Sequence, residues 1–150
     1  MSRIILLDSG PLGLITNPSA SVENLECNIW IQTRLRNGDR VMVPAISDYE
    51  IRRELLRAQK TKGLARLDGL KSVVGFIPLT SEALLRAAEF WAEARRSGKP
   101  TAADSALDGD VILCAQAAEL TRLGHETVIA TTNVKHLEVF VDARLWREIS

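Results

Sequence analysis

Cysteine and histidine are scarce in this chain, with two of each in 150 residues. Cys27 and Cys114 have no Cys-x-x-Cys spacing, and His125 and His136 are too dispersed to complete a structural zinc site. Zinc is therefore not the expected metal, and both thiols are expected as small core residues. Long apolar runs are also missing. Ile4 to Leu7 is interrupted by Asp8 after four residues, too few for the hydrophobic region of a secretory signal. No later stretch approaches the roughly 18 to 20 apolar residues of a membrane span, so the expectation is a cytoplasmic protein with no membrane partner. Net charge is absent too, because 19 basic residues balance 19 acidic ones. The whole-molecule field therefore does not draw nucleic acid, and any grip on it must come from local patches. No Gly-x-Gly-x-x-Gly turn follows a strand, which argues against a dinucleotide enzyme. No repeat, low-complexity tract or linker divides the chain, so residues 1–150 are read as a single domain.

What is present is an ordinary globular composition, 46% apolar and 25% charged. Ile4 to Leu7 reads as a short buried strand, stopped by a turn at Asp8-Ser9-Gly10-Pro11. Ser21 is placed to cap a helix whose apolar stripe is Val22, Leu25, Ile29 and Leu35, ending at Asn37-Gly38. Val41 to Val43 is a second strand closed by Pro44. The segment from Ser47 through Lys60 reads as a helix with Ile51, Leu55 and Leu56 on its apolar side, and Ser47-x-x-Glu50 spells a capping box. A short helix from about Gly63 to Leu70 precedes a third strand, Val73 to Leu79, with Pro78 weakening its end. Ser81 begins a helix carrying Leu84, Leu85, Ala88, Trp91 and Ala92. Ser97 to Ala106, including Asp104, reads as a loop. A helix from about Asp108 to Leu123 ends at Gly124, and Thr127 to Thr131 is the fourth strand. A marginal strand around Val139 to Val141 follows, with Asp142 placed to cap a last helical turn through Trp146.

Strands alternating with helices of 10 to 16 residues imply a doubly wound α/β fold with a parallel sheet covered on both faces. In such sheets ligands bind outside the carboxyl ends of the strands. Asp8 ends the first strand, Glu50 opens the helix after the second, and Asp108 and Asp110 open the helix before the fourth. All four acids are expected at one edge. Carboxylates gathered without partners repel one another, so the cluster calls for a hard cation, Mg²⁺ or Mn²⁺. Such an ion suits phosphodiester hydrolysis, because it lowers the pKa of a water and stabilises charge on phosphate. Asn133 is placed to add a neutral oxygen or to position that water. Arg52, Arg53 and Arg57, with Lys60 and Lys62 beyond them, are the candidate RNA-binding patch.

The blocks Leu6-Leu7-Asp8-Ser9, Glu50, Leu107-Asp108-Gly109-Asp110-Val111-Ile112-Leu113 and Thr131-Thr132-Asn133-Val134-Lys135-His136 together resemble a PIN domain, in order and spacing over nearly the whole chain. The resemblance implies a PIN-like three-layer α/β/α fold around a four- or five-stranded parallel sheet. It also implies Mg²⁺- or Mn²⁺-dependent endonuclease cleavage of RNA, with Asp8, Glu50 and Asp110 as core acids and Asp108 as an additional one. Asn133 stands where many members carry Asp, which leaves a second metal site open. Stand-alone domains of this length resemble the VapC-like toxins of type II toxin–antitoxin systems, which implies a small antitoxin partner and a homodimer. Two rival readings stand beside it. A dehalogenase-type phosphatase wants a second Asp two residues after the first, where this chain has Gly10. A PIN-like scaffold that binds RNA or a protein without cutting is left open by Asn133 and the neutral net charge.

Overall fold

The computed structural model describes residues 2–98 and 104–150. Its frame is a five-stranded sheet of β1 (Ile4–Leu7), β2 (Arg40–Pro44), β3 (Gly75–Ile77), β4 (Thr127–Thr131) and β5 (Ala143–Leu145), in the order β3-β2-β1-β4-β5 with every pair parallel. Because β1 is central and covered on both faces, its sequence is a continuous apolar run with no alternation. Ile4 and Leu6 face one core with Phe90, Leu113 and Ile129, while Ile5 and Leu7 face the other with Leu12, Trp30, Val43 and Trp146. Six helices supply the outer layers: α1 (Ser9–Thr16), α2 (Val22–Arg36), α3 (Ala45–Arg57), α4 (Thr61–Val73), α5 (Ser81–Arg96) and α6 (Asp104–Arg122). This is the expected α/β/α architecture, with five strands. Among the described residues no helix is long and apolar enough to cross a membrane.

Several expectations change. The segment after Asp8 is a helix and no mere turn: Pro11 sits in its first turn, where its missing N–H is no loss, and Asp8 is the N-cap. On α2 the buried side is Asn24, Cys27, Trp30, Ile31 and Arg34, whereas Val22, Leu25 and Ile29 are 73, 52 and 64% exposed. On α5 the core contacts are made by Ala83, Ala87 and Phe90, and Leu84, Leu85 and Trp91 are exposed. Both helices turn a different stripe inward from the one their large aliphatic residues mark: α5 buries two alanines and Phe90, and α2 buries Asn24 and Arg34 beside Trp30 and Ile31. The last strand lies at Ala143–Leu145 rather than around Val139 to Val141, and a 3-10 turn, Trp146–Glu148, follows it. Both cysteines are buried as expected, and burial pushes the Cys27 thiol up to about 12. The Ser97 to Ala106 loop lies partly outside the described residues, and Asp104 begins α6.

The start of α3 also differs. The helix begins at Ala45 behind Pro44, which makes no side-chain cap, so Ser47 and Glu50 do not form a capping box. The cap comes from another helix. Gln116 of α6, fully buried, accepts from the Ile46 N–H at 3.3 Å through Oε1 and donates through Nε2 to the carbonyls of Ile77 and Pro78 at 3.0 and 3.3 Å. One amide thus ties α6 to the start of α3 and the end of β3. Replacing it strands buried backbone groups, each worth about 1–3 kcal/mol when unsatisfied. Gln116→Leu, close in volume, is expected to lower stability by about 2–3 kcal/mol in urea denaturation with an unchanged m-value; a loss under about 0.5 kcal/mol would show that water replaces the amide.

Candidate metal centre

Asp8 leaves the carboxyl end of β1 with both oxygens engaged. Oδ1 accepts from the Ser9 N–H at 2.7 Å, capping α1, and Oδ2 accepts from the Thr131 hydroxyl at 2.7 Å, at the end of the neighbouring β4. Thr131 Oγ1 in turn accepts from the Asn133 N–H at 2.9 Å. Each carboxylate oxygen has two lone pairs, so Asp8 keeps acceptor capacity after these bonds. The loop after β4 also packs closely on α1, since a Cβ on Gly10 would fall 2.5 Å from the Thr132 hydroxyl.

Glu50 lies in the second turn of α3 and leans on α6. A Cβ on Gly109 would sit 2.8 Å from its Oε2, so only glycine lets the carboxylate lie there. Sequence reasoning passed over Gly109, although a glycine inside a helix costs roughly 1 kcal/mol against alanine, and its place between two aspartates was the available signal. Burial, then the negative charge of Asp8, raises the Glu50 pKa; Arg53 pulls it the other way and Asp110 raises it further.

Asp110, in the second turn of α6, has its pKa raised to about 6, first by burial and then by Asp8. Its Oδ2 is buried without a hydrogen-bond partner. The His136 Nδ1 stands 3.5 Å from that atom, an ion-pair distance, and 3.1 Å from Asn133 Nδ2. The same negative potential reaches Cys114, whose thiol is raised mainly by burial and then by Asp110 and Asp8.

Three of the four expected acids, Asp8, Glu50 and Asp110, therefore lie within electrostatic reach of one another. Asp108 does not join them: it is exposed, and two helical residues from Asp110 it points about 200° away around the axis. Neither Asp108 nor Asp110 opens α6, which starts a turn earlier. Among the described residues no group of three or more histidine, cysteine, aspartate or glutamate side chains stands close enough to hold a metal ion. Of the basic patch, Arg52 is occupied by Asp48 and Asp68, and Arg57 is paired with the exposed Glu54. Arg53 lies over the ring of the exposed Tyr49 at 5.1 Å and is the cation of the three that acts on Glu50.

No protein-family model matches the sequence, and no curated protein matches it. Solved structures do. A chain of VapBC2 from Rickettsia felis, bound to a DNA fragment from their promoter, aligns over 96% of this chain and 99% of its own with a TM-score of 0.72 at 14% identity. A chain of VapBC-1 from nontypeable Haemophilus influenzae aligns over 97% and 100% with a TM-score of 0.71 at 17% identity. One from FitAcB of Neisseria gonorrhoeae aligns over 97% and 99% with a TM-score of 0.72, also at 17% identity. At these identities the likeness is one of fold, and the fold is PIN-like.

The Asp110 shift has a sign that stability can read. A carboxyl whose folded pKa is raised from 3.8 to about 6 stabilises the fold most below pH 4, and that contribution disappears as pH rises through 6. Two pKa units have a ceiling of about 3 kcal/mol, which solvent reaching the side chain reduces to about 1–2 kcal/mol. In EDTA, Asp110→Asn is expected to be more stable than the parent by that amount at pH 7–8, the difference shrinking toward pH 4. Equal stabilities across the range would mean that neither burial nor Asp8 disfavours the ionised carboxylate.

Proposed function

We propose that the protein is a metal-dependent endoribonuclease acting as the toxin of a toxin–antitoxin pair. The observation that carries the reading is the convergence of Asp8, Glu50 and Asp110 at the carboxyl edge of the sheet, where two of the three have raised pKa values and Asp110 has a buried oxygen without a partner. An all-oxygen set of mutually repelling carboxylates fits Mg²⁺ or Mn²⁺. Asp8 and Asp110 would hold the ion, with Glu50 beside it and Asp108 at most at its margin. When bound, the ion supplies charge neutralisation at the scissile phosphate and an acidified water.

The chain's own groups do the rest. Thr131 and the Ser9 amide fix the orientation of Asp8, so its free lone pairs face the cluster without further ordering cost. Glu50, more basic than an ordinary glutamate and resting on Gly109, is placed to take the proton of the attacking water as one P–O bond forms and another breaks. Asn133, held by Thr131, is placed to orient that water. Arg53 and Tyr49, side by side next to Glu50, offer a cation for phosphate and a ring face for an unpaired base.

The antitoxin reading draws on a groove of about 680 Å³ lined by Gly13, Ile51, Leu55, Lys60 and Lys62, with Arg57 paired there with Glu54. It suits an amphipathic segment bearing acids. The chains that this fold resembles come from structures of VapBC2 and VapBC-1. A second reading, a scaffold that binds RNA or a protein without cutting, is favoured by Asn133 and by the divergence of Asp108. Growth arrest on expression should require Asp8, and a small co-encoded protein should relieve it.

Purified protein is expected to cut single-stranded or loop RNA with Mg²⁺ or Mn²⁺, to stop in EDTA, and to spare the matching DNA. Asp8→Asn and Asp110→Asn should each lower turnover at least about 100-fold. Gly109→Ala should lower it as well by displacing Glu50, despite the better helix propensity of alanine. RNA binding without turnover in either metal would select the scaffold.

A further inference from the structure

We propose that Tyr49 and Arg53 form a subsite for unpaired RNA beside the acids, the Tyr49 ring stacking on one base while Arg53 leaves the ring to hold the adjoining phosphate. This rests on the ribonuclease reading and deepens it, since it names the residues that choose single-stranded over paired substrate.

Both residues stand on the exposed side of α3, next to Glu50. At 3.6 residues per turn Arg53 lies one turn beyond Tyr49, about 40° round the axis from it and about 60° from Glu50, so the guanidinium hangs between the ring and the acid. Its central carbon is 5.1 Å from the ring centroid, and its charge is felt at Glu50. Tyr49 is 57% exposed even with that cation over it, so ring surface stays open to a second planar group. The helix beneath is held firmly. Arg52 bonds Asp48 at 3.0 and 3.2 Å and Asp68 of α4 at 2.7 Å, and Lys71 of α4 lies 3.4 Å from Asp48.

Other rings of the chain also carry a cation, but those cations are committed elsewhere. Lys71 over Phe76 is paired with Asp48, Arg86 over Phe90 with Glu89, and Arg147 over Trp146 with Glu23 and Glu26. Arg53 has no ion pair among the described residues, and a stack alone is a weak hold at an exposed site. A phosphate, which takes two N–H groups of a guanidinium at once, is the stronger partner, and it frees the ring face for a base. Bases in a duplex are stacked on their neighbours and offer no such face. Every unpaired base does, so this pair selects strand state with little regard to sequence.

The test uses the full chain carrying Asp110→Asn in EDTA, which stops cleavage and removes one repelling charge. The probes are a short oligoadenylate and the same strand paired with oligouridylate. Fluorescence anisotropy is expected to show the single strand bound at least about 10-fold tighter than the duplex. Adding Tyr49→Ala should weaken the single strand at least about 5-fold and change the duplex less than about 2-fold, while Tyr49→Phe keeps the starting affinity. A strand of the same length made of abasic nucleotides should bind equally well with and without Tyr49→Ala. Arg53→Gln should lower the salt dependence of single-strand binding by about one phosphate contact, where Arg57→Gln leaves it unchanged. Single-strand affinity that Tyr49→Ala leaves intact overturns the proposal, whatever that variant does to contacts with a protein partner. RNA held through Tyr49 by a parent chain that never cuts it keeps the subsite and overturns the ribonuclease reading, and cutting of single strands unaffected by Tyr49→Ala does the reverse. A chain that binds neither probe overturns both.

Discussion

Like charges gathered in a partly buried place raise one another's pKa, and the fold meets that cost at a chosen point. Asp8 stands at the end of the most buried strand, between β2 and β4 in a sheet whose strands all run the same way. The hydrogen bond from Thr131 joins the ends of β1 and β4, and the bond from Ser9 joins β1 to α1. Withdrawing Asp8 would free Glu50 and Asp110 from repulsion but would also remove the N-cap of α1 and the contact that closes the sheet edge. The carboxylate is therefore fixed where its charge raises the pKa values of Glu50 and Asp110.

The other two acids are brought in by packing that has little to do with them. Gln116 sets the start of α3 and holds it against α6, and Gly109 leaves the space in which the Glu50 carboxylate lies. Both features sit on the helix that presents Asp110. A single helix thus carries one acid, positions a second through a glycine, and positions the helix bearing that second acid through a buried amide. The hydrophobic layers beneath make this arrangement stiff, since Leu113, Ala115 and Ala117 of α6 are at most 1% exposed against the sheet.

Much of this was legible before the structure. The apolar run Ile4 to Leu7 ending in Asp8, the Asp108-Gly109-Asp110 block and the Thr131-Thr132-Asn133 block announced a parallel α/β fold with an acidic edge, and the glycines at 38 and 124 closed helices with positive φ as read. What failed was local inference where tertiary partners decide. Ser47 and Glu50 spelled a capping box, yet Gln116 made the cap from far along the chain. Val22, Leu25 and Ile29 looked like the buried stripe of α2, but Trp30, tied by its indole N–H to the Ile149 carbonyl and set edge-on to Trp146, turned the helix the other way. Asp108 and Asp110 share one sequence block, while helix geometry separates residues two apart. Arg52 and Arg57 are candidate phosphate contacts by sequence, but carboxylates one helix turn or one helix away pair with them.

The central claim is that Asp110 belongs to a carboxylate cluster held ready for a cation, and the most direct measurement is its side-chain titration by carboxyl-detected NMR with and without Mg²⁺. In EDTA it is expected to titrate near 6, and saturating Mg²⁺ should lower that midpoint by at least one unit as the ion replaces the proton. An ordinary carboxylate midpoint in the metal-free protein, or a raised one that Mg²⁺ leaves in place, would contradict the account.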